Sequence, residues 1–206
     1  MSRVLLATRN AKKLAELQRI LVTRAQAMGL ADMPAFDELP ETGSTFEENA
    51  IAKAEQAAAE TGEITLADDS GLSVDAMNGM PGVLSARWSG KHGDDAANTA
   101  LLLAQMGDVP DGQRGAAFIC ALALVVPKES VHVVRGEWRG RILRQPRGSN
   151  GFGYDPVFVP EETDDSGDRR SAAQLLPSEK DSLSHRGRAF SLIMPELAIA
   201  LGWRAP

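Results

Sequence analysis

Cysteine and long apolar runs are scarce in this chain, and each scarcity excludes a class of protein. The single cysteine, Cys120, cannot form an internal disulfide. Its apolar neighbours favour a buried small side chain over a nucleophile. No window is long enough to predict a membrane span, and the apolar run near the N-terminus is too short for a signal peptide. We therefore expect a cytoplasmic protein that has no membrane partner.

A basic surface is also missing. The sequence has 22 lysines and arginines against 28 aspartates and glutamates, a net charge of −6, and one tyrosine. This balance argues against a nucleic-acid partner, although a local cationic pocket for a small polyanion is compatible with it. The length of 206 residues predicts one domain, 1–206, which we expect to have two lobes.

The order of apolar runs predicts an α/β fold with a mixed sheet and flanking helices. Predicted strands are 3–8, 63–69, 114–127, 130–143 and 155–160. Predicted helices begin after Asn10, span 45–60 and 94–106, and end the chain at 182–201. Charged and small residues predict a mobile surface loop at 161–172.

The stretch TRNAKK, 8–13, follows the first predicted strand and opens a helix. A helix N-terminus presents free N–H groups and a positive dipole end, which suit an anion such as phosphate. Lys13 adds a cation there, where it is unfavourable unless an anion lies nearby. The alternative is an ordinary helix capped by Asn10 with solvated lysines.

The stretches 41–54 and 65–71 contain acidic residues beside predicted elements. Glu41 lies in a Gly-containing loop before a helix that carries Lys53, and both are compatible with plain solvated side chains. Asp68 and Asp69 end the predicted strand, and successive strand residues point to opposite faces, so they cannot have the same role. Asp69 suits Mg²⁺ or an activated water, whereas an Asx-turn closing the strand is the alternative.

The stretches SNGFGYDP and SEKDSLSHRG pair an aromatic ring with several donors. Phe152 between two glycines suits stacking on a flat base. Lys180, His185 and Arg186 offer donors that favour a carbonyl on a purine edge over the amino group of adenine. The alternatives are a hairpin turn with an inward aromatic and a solvated basic helix start.

Taken in order, five motifs resemble the inosine triphosphate pyrophosphatase family, the dITP/XTP pyrophosphatases. The motifs are TRNAKKLAEL, ETGSTFEENAIAKA, ADDSGLSVDAMNGMPGVLSARW, GFGYDPVF and EKDSLSHRG. The resemblance covers residues 4 to about 200. It implies a two-lobed mixed-sheet fold with a central substrate cleft, a homodimer, and Mg²⁺-dependent cleavage of ITP, dITP and XTP to monophosphate plus pyrophosphate.

The resemblance also implies roles for individual residues. Thr8, Asn10 and Lys13 match the phosphate-binding loop, and Lys53 matches a further triphosphate contact. Glu41 matches an acidic metal ligand, and Asp69 matches the catalytic, metal-linked carboxylate, with Asp68 and Ser70 beside it. The base-binding loop matches Phe152, Gly153, Tyr154 and Asp155. The base-edge donors match Lys180, His185 and Arg186.

Departures from the family pattern concern two loops. Arg9 stands where many relatives have glycine; it can add a phosphate contact but narrows the loop. The segment 161–174 is longer and more polar than expected, and Gln174 takes a place where glutamate is common. Two further functions stay open as alternatives: a pyrophosphatase with another base preference, and a nucleotide-binding relative without catalysis.

Overall fold

A six-stranded sheet organises the fold, described here from a computed structural model over residues 3–21, 25–37 and 39–203. Its strands are Arg3–Leu6 (β1), Gln26–Gly29 (β2), Thr65–Val74 (β3), Gly115–Val126 (β4), Ser130–Ile142 (β5) and Phe158–Pro160 (β6). Their order across the sheet is β2-β1-β3-β4-β5-β6. β1 pairs in parallel with both β2 and β3, and β5 pairs antiparallel with β6. The predicted α/β fold with a mixed sheet is confirmed.

Six α-helices accompany these strands within the described ranges. They are Ala11–Leu21 (α1), Phe46–Thr61 (α2), Asp95–Gln105 (α3), Glu161–Asp165 (α4), Pro177–Leu183 (α5) and His185–Ala200 (α6). The starts of α2 and α3 follow local capping chemistry: Thr45 and Glu48 form a capping box, and Asp94 accepts from the N–H of Ala97. Across the part of the chain described here, none of these helices has the length and apolar character needed to cross a membrane.

The chain divides into two units, each with its own apolar core. The first unit comprises Met1–Asp69, Cys120–Gly136 and Arg186–Pro206, and the second comprises Ser70–Ile119 and Glu137–His185. In the first unit, Leu6, Leu66, Leu122 and Phe190 are buried in one cluster, and Cys120 lies among them as predicted. The prediction of a single domain stays a prediction.

Aromatic rings dominate the core of the second unit. The Phe118 ring meets the Phe158 ring edge-on, with centroids 4.7 Å apart, and the Trp138 and Phe158 centroids lie 5.4 Å apart. Gly140 of β5 makes this packing possible, since a Cβ there would lie within 3 Å of the Phe158 ring. Leu72 and Leu102 complete the cluster from β3 and α3.

Several of the predicted elements are wrong or incomplete, and one of them is the strand predicted at 155–160, because Asp155–Val157 forms a 3-10 helix and only Phe158–Pro160 is a strand. The strand predicted at 63–69 runs on to Val74, and β2 was not predicted. Within 161–172, α4 forms because Asp164 makes a bidentate pair with Arg141, at 2.6 and 2.8 Å, and Thr163 is buried. The last helix begins at His185 rather than 182, since Ser184 has an extended backbone that separates α5 from α6.

One buried cation joins the ends of several elements in the second unit. Arg114 is 3% exposed, and its guanidinium donates to the carbonyl oxygens of Met106 (2.7 Å), Ile142 (2.9 Å) and Leu143 (3.0 Å). Met106 follows the last turn of α3, whose carbonyl groups lack helical partners. Arg114 therefore satisfies buried acceptors that a shorter or apolar side chain would leave without donors.

We expect the substitution Arg114→Met to lower the free energy of unfolding by about 3 kcal/mol, because it leaves several buried carbonyl groups unsatisfied. The melting temperature should fall by roughly 6–12 °C. Arg144→Met is the matched control, because Arg144 also donates to carbonyl groups after α3 but its side chain is 53% exposed. Equal losses in the two variants, measured by thermal unfolding, would contradict this assignment.

Candidate active site

The middle of β3 presents Asp68 and Asp69 to different helices. The carboxylate of Asp68 accepts from the ammonium of Lys13 on α1 at 2.8 Å, and the Nε of Arg186 on α6 lies 3.6 Å from it. Asp68 is 4% exposed and Arg186 is also 4% exposed, so this ion-pair network is buried. Asp68 therefore acts as the counter-charge that holds two cations.

Asp69 faces α2 instead. Its Oδ2 accepts from the amide Nδ2 of Asn49 at 2.9 Å, and its Oδ1 lies 3.5 Å from the ammonium of Lys53. Asn49 is itself held, because its Oδ1 accepts from the N–H of Gly43 at 2.8 Å. The alternation of a strand thus separates the two carboxylates, as the sequence predicts.

Lys53 links the acidic groups of the first unit. Its ammonium donates to Glu41 at 2.9 Å and to the backbone oxygen of Asp68 at 2.7 Å, in addition to the pair with Asp69. Burial favours the neutral amine, but the nearby carboxylates outweigh it and raise the pKa of Lys53 above its usual value. The side chain is therefore a permanent cation between Glu41 and Asp69.

The pKa values of the two adjacent aspartates are shifted in opposite directions. Burial disfavours the charged form of Asp68, but Lys13, Arg186 and Lys53 outweigh it and hold the pKa of that carboxyl well below its usual range. Burial raises the pKa of the Asp69 carboxyl, although Lys53 and the amide of Asn49 oppose the rise. Asp68 thus stays ionised, whereas Asp69 is the member of the pair that is better able to accept a proton.

The predicted end of the strand at Asp69 is wrong, and the Asx-turn alternative falls with it. β3 continues through Ser70 and Gly71 to Val74, so no turn closes at the aspartates. The interior of the strand is the physical reason: Leu72 and Val74 are fully buried and extend the apolar alternation beyond the polar residues. Ser70 follows Asp69 in the strand and is half-buried.

The loop before α1 has the predicted capping geometry. Thr8 Oγ1 accepts from the N–H of Asn10 at 3.1 Å, and Asn10 Oδ1 accepts from the N–H of Lys13 at 3.4 Å. Asn10 is therefore the N-cap of α1, as predicted. Arg9 and Asn10 are exposed in this loop. Phosphate binding by the loop stays a prediction.

Two carboxylates of the first unit are suited to a magnesium ion. Glu41 and Asp69 converge on the same ammonium, at 2.9 and 3.5 Å, and Glu41 contributes to the raised pKa of Asp69. Within residues 3–21, 25–37 and 39–203, no three His, Cys, Asp or Glu side chains are grouped to enclose a metal. Mg²⁺ uses one or two carboxylates and takes its other ligands from water and phosphate, and its binding by Glu41 and Asp69 stays a prediction.

In the second unit, the loop at 150–155 is organised by Asp155. Its Oδ2 accepts from the N–H of Phe152 at 2.9 Å and from the ammonium of Lys180 at 2.5 Å. The Lys180 ammonium also lies 5.0 Å from the centroid of the Phe152 ring, a cation–π contact. Gly151 allows this packing, because a Cβ there would collide with the Asp155 carboxylate. Lys180 and Phe152 thus come together as the sequence suggests.

Tyr154 anchors the same loop through its hydroxyl group. The side chain is 4% exposed, and its OH donates to the backbone oxygen of Ser85 at 2.9 Å. Burial raises the pKa of Tyr154, so the phenol stays neutral. Ser85 is in turn fixed to Gly82 and Leu72 by hydrogen bonds of 2.6 and 2.9 Å. Tyr154 is therefore the aromatic residue of this loop that packs inward, whereas Phe152, for which inward packing was the alternative, is only half-buried.

His185 and Arg186, the predicted donors that follow Lys180, lie in different surroundings. The His185 ring is 4% exposed and stacks on the Phe118 ring, with centroids 4.9 Å apart and planes 12° apart. Arg186 belongs to the first unit and lies beside Asp68. The alternative of a solvated basic helix start is wrong, because both side chains are buried. Their role at a base edge stays a prediction.

Sequence reasoning missed several polar residues that position the site. Asn49, which holds Asp69, lies one helical turn before Lys53 on α2, so its spacing was an available signal. Gln174 was predicted only as a departure from the family pattern; it accepts from the N–H of Ser171 at 3.0 Å and caps the turn Ala172–Gln174. No local sequence pattern indicated Asp95 and Thr99, which contact Gly153.

We expect Asp68→Asn and Asp69→Asn to affect stability very differently. Removing the Asp68 charge leaves Lys13 and Arg186 buried without their counter-charge, which should lower the free energy of unfolding by about 3 kcal/mol. Asp69→Asn should change it by less than about 1 kcal/mol, because the native structure does not favour the charged form there. Urea unfolding at pH 7 with EDTA measures both, and equal losses would contradict the opposite pKa shifts.

Comparison with known proteins identifies relatives over nearly the whole chain. The chain is 64% identical over 202 residues to a dITP/XTP pyrophosphatase of Nocardia farcinica, covering 96% of each sequence. It is 57% identical to a crystal structure of a nucleoside-triphosphatase / dITP/XTP pyrophosphatase from Mycobacterium abscessus, with a TM-score of 0.76 and coverage of 94% and 99%. The predicted resemblance is therefore confirmed.

A more distant solved structure agrees with the same fold. The Ham1 protein of Staphylococcus aureus is 36% identical, with a TM-score of 0.83, and the match covers 95% of this chain and 98% of that one. The sequence model of the Ham1 family matches residues 4–196. With this match spanning most of its length, the chain belongs to the Ham1 family.

Proposed function

We propose that this chain hydrolyses the non-canonical purine nucleoside triphosphates ITP, dITP and XTP to nucleoside monophosphate and pyrophosphate, and so removes deaminated purines from the nucleotide pool. The relatives named dITP/XTP pyrophosphatase support this activity. The observation that carries the proposal is the different surroundings of two adjacent aspartates: Asp68 is paired with the cations Lys13 and Arg186, whereas Asp69 contacts the amide of Asn49 and lies 3.5 Å from Lys53. Such a pair suits a reaction that needs one fixed anion and one proton acceptor.

The cations of the first unit suit the triphosphate. Lys13 and Lys53 are held by carboxylates in the free protein, and both ammonium groups can transfer hydrogen bonds to phosphate oxygens. The N–H groups at the start of α1 add a positive dipole end. Attack of water on phosphorus needs neutralisation of charge and positioning more than covalent catalysis, and these groups supply both.

Asp69 is proposed as the group that orients and deprotonates the attacking water. Asn49 restrains one of its oxygens and leaves the other toward Lys53. Glu41 and Asp69 would hold Mg²⁺, which when bound neutralises phosphate charge and lowers the pKa of water. Water supplies the oxygen of the new bond to phosphorus, the bridging bond between the α- and β-phosphates breaks, and the proton passes to the Asp69 carboxylate.

The loop of the second unit suits the base. Phe152 offers a ring face for stacking, and Lys180 offers donors beside it. Donors directed at position 6 accept a keto purine and leave the amino group of adenine facing another donor. Base-edge roles for His185 and Arg186, a homodimeric assembly and a cytoplasmic location are expectations that accompany this proposal.

The proposed activity predicts pyrophosphate release from ITP and XTP that exceeds release from ATP and dTTP, and GTP is included in the same panel as a further purine with a carbonyl at position 6. The five substrates are compared in parallel, with Mg²⁺ and with EDTA. Loss of release in EDTA would support a metal-assisted reaction. Equal release from ATP or dTTP would favour a pyrophosphatase with another base preference. Binding of ITP without any release would favour a nucleotide-binding relative that lacks catalysis.

We expect Asp69→Asn to reduce kcat for ITP by about 100-fold or more, because the amide cannot accept the proton of water. ITP binding, measured by titration calorimetry, should persist. Asp75→Asn is the matched control: Asp75 directly follows β3, but its side chain is 49% exposed and pairs with Arg139. Turnover of Asp69→Asn within about twofold of the wild type would exclude this role for the carboxylate.

A further inference from the structure

Both backbone polar groups of Gly153 are held by side chains of α3. Its N–H donates to the Oδ2 of Asp95 at 2.8 Å, and its carbonyl oxygen accepts from the hydroxyl of Thr99 at 3.5 Å. Asp95 and Thr99 are four residues apart and therefore lie on one face of the helix. Gly153 has a φ of +62°, a left-handed conformation that glycine adopts without strain.

The helix that makes these contacts is itself fixed at its start. Asp94 accepts from the N–H of Ala97 at 3.2 Å and caps the helix. The amide of Asn98, which is 2% exposed, donates to the backbone oxygen of Ala86 and accepts from the N–H of Ser89 at 2.7 Å. The buried amide of Asn98 therefore anchors the helix that presents the Asp95 carboxylate, and this anchor does not depend on the cap at Asp94, although the Asp95 side chain itself reaches solvent.

Phe152 lies between two peptide groups that are each held by a carboxylate. The N–H on its N-terminal side donates to Asp155 at 2.9 Å. The peptide on its C-terminal side carries the N–H of Gly153, which donates to Asp95 at 2.8 Å. Restraining both planes restrains the backbone dihedral angles of Phe152, and these angles limit the rotamers that its ring can adopt. Hydrogen bonds to a carboxylate are shorter and stronger than neutral ones.

We propose that Asp95 is a positioning residue for base selection: it orients the peptide after Phe152 and thereby sets the stacking ring. The inference rests on the proposed function, since it assumes that this loop reads the purine. The carboxylate of Asp155 holds the peptide before Phe152, and the N–H of Asp155 donates to the Phe152 carbonyl oxygen at 3.3 Å, so the peptide after Phe152 has one restraint from within the loop. Asp95 supplies the second restraint from a different element. Its contribution belongs to substrate binding and not to attack on phosphorus.

Three variants separate this role from simple stability. Asp95→Ala removes the acceptor for Gly153, whereas Asp95→Asn keeps an oxygen in the same place. Asp94→Ala is the matched control, because it removes the cap of the same helix and leaves the contact with Gly153. Each variant is assayed with ITP and ATP for kcat and KM, and hydrogen–deuterium exchange is followed in peptides that cover 150–155.

We expect Asp95→Ala to lower the ITP-to-ATP ratio of kcat/KM by about tenfold, mainly through a higher KM for ITP, and to speed exchange in 150–155. Asp95→Asn should recover most of the ratio. Asp94→Ala should lower the melting temperature and leave the ratio within about twofold of wild type.

Two other results have distinct meanings. An unchanged ratio and unchanged exchange in Asp95→Ala, while the wild type prefers ITP, would overturn the inference and leave the proposed function standing. A wild-type protein without preference for ITP would overturn the proposed base specificity. The exchange comparison would then still decide whether Asp95 restrains the loop, because it does not depend on activity.

Discussion

The ammonium of Lys53 is the group on which the first unit's candidate site depends. It joins Glu41 at 2.9 Å, the backbone oxygen of Asp68 at 2.7 Å and the carboxylate of Asp69 at 3.5 Å. Bringing these acidic groups together without a cation would raise their pKa values by mutual repulsion and burial. Lys53 reduces that penalty, but burial still leaves the Asp69 carboxyl with a raised pKa. The ammonium of Lys53 therefore contributes both to the folding of this unit and to the chemistry proposed for it.

The alternation of β3 then divides two chemically identical side chains into two roles. Asp68 meets cations from α1 and α6, and Asp69 meets an amide and a cation from α2. Successive residues of a strand point their side chains in opposite directions, and this alone is enough to give the two carboxylates different partners. The resulting contrast in pKa suits the role proposed for Asp69 in hydrolysis.

In the second unit, hydrogen bonds to backbone groups organise the loop at 150–155 as much as contacts between side chains do. Asp155 and Asp95 hold the peptide groups on either side of Phe152, while Lys180 lies over its ring. The His185 ring is stacked on Phe118 and belongs to the aromatic core. A rigid loop loses little conformational freedom when a ligand stacks on it, which favours selective binding.

The sequence by itself determined the α/β class, the cap at Asn10, the burial of Cys120 and the family, because these depend on local periodicity, capping chemistry and ordered motifs. It could not reveal that β3 continues beyond Asp69, or that Asp95 holds Gly153 from 58 residues away. Only the tertiary structure decided which cation pairs with which acid. Such pairings depend on burial and on distances between groups remote in sequence, and local patterns carry no information about either.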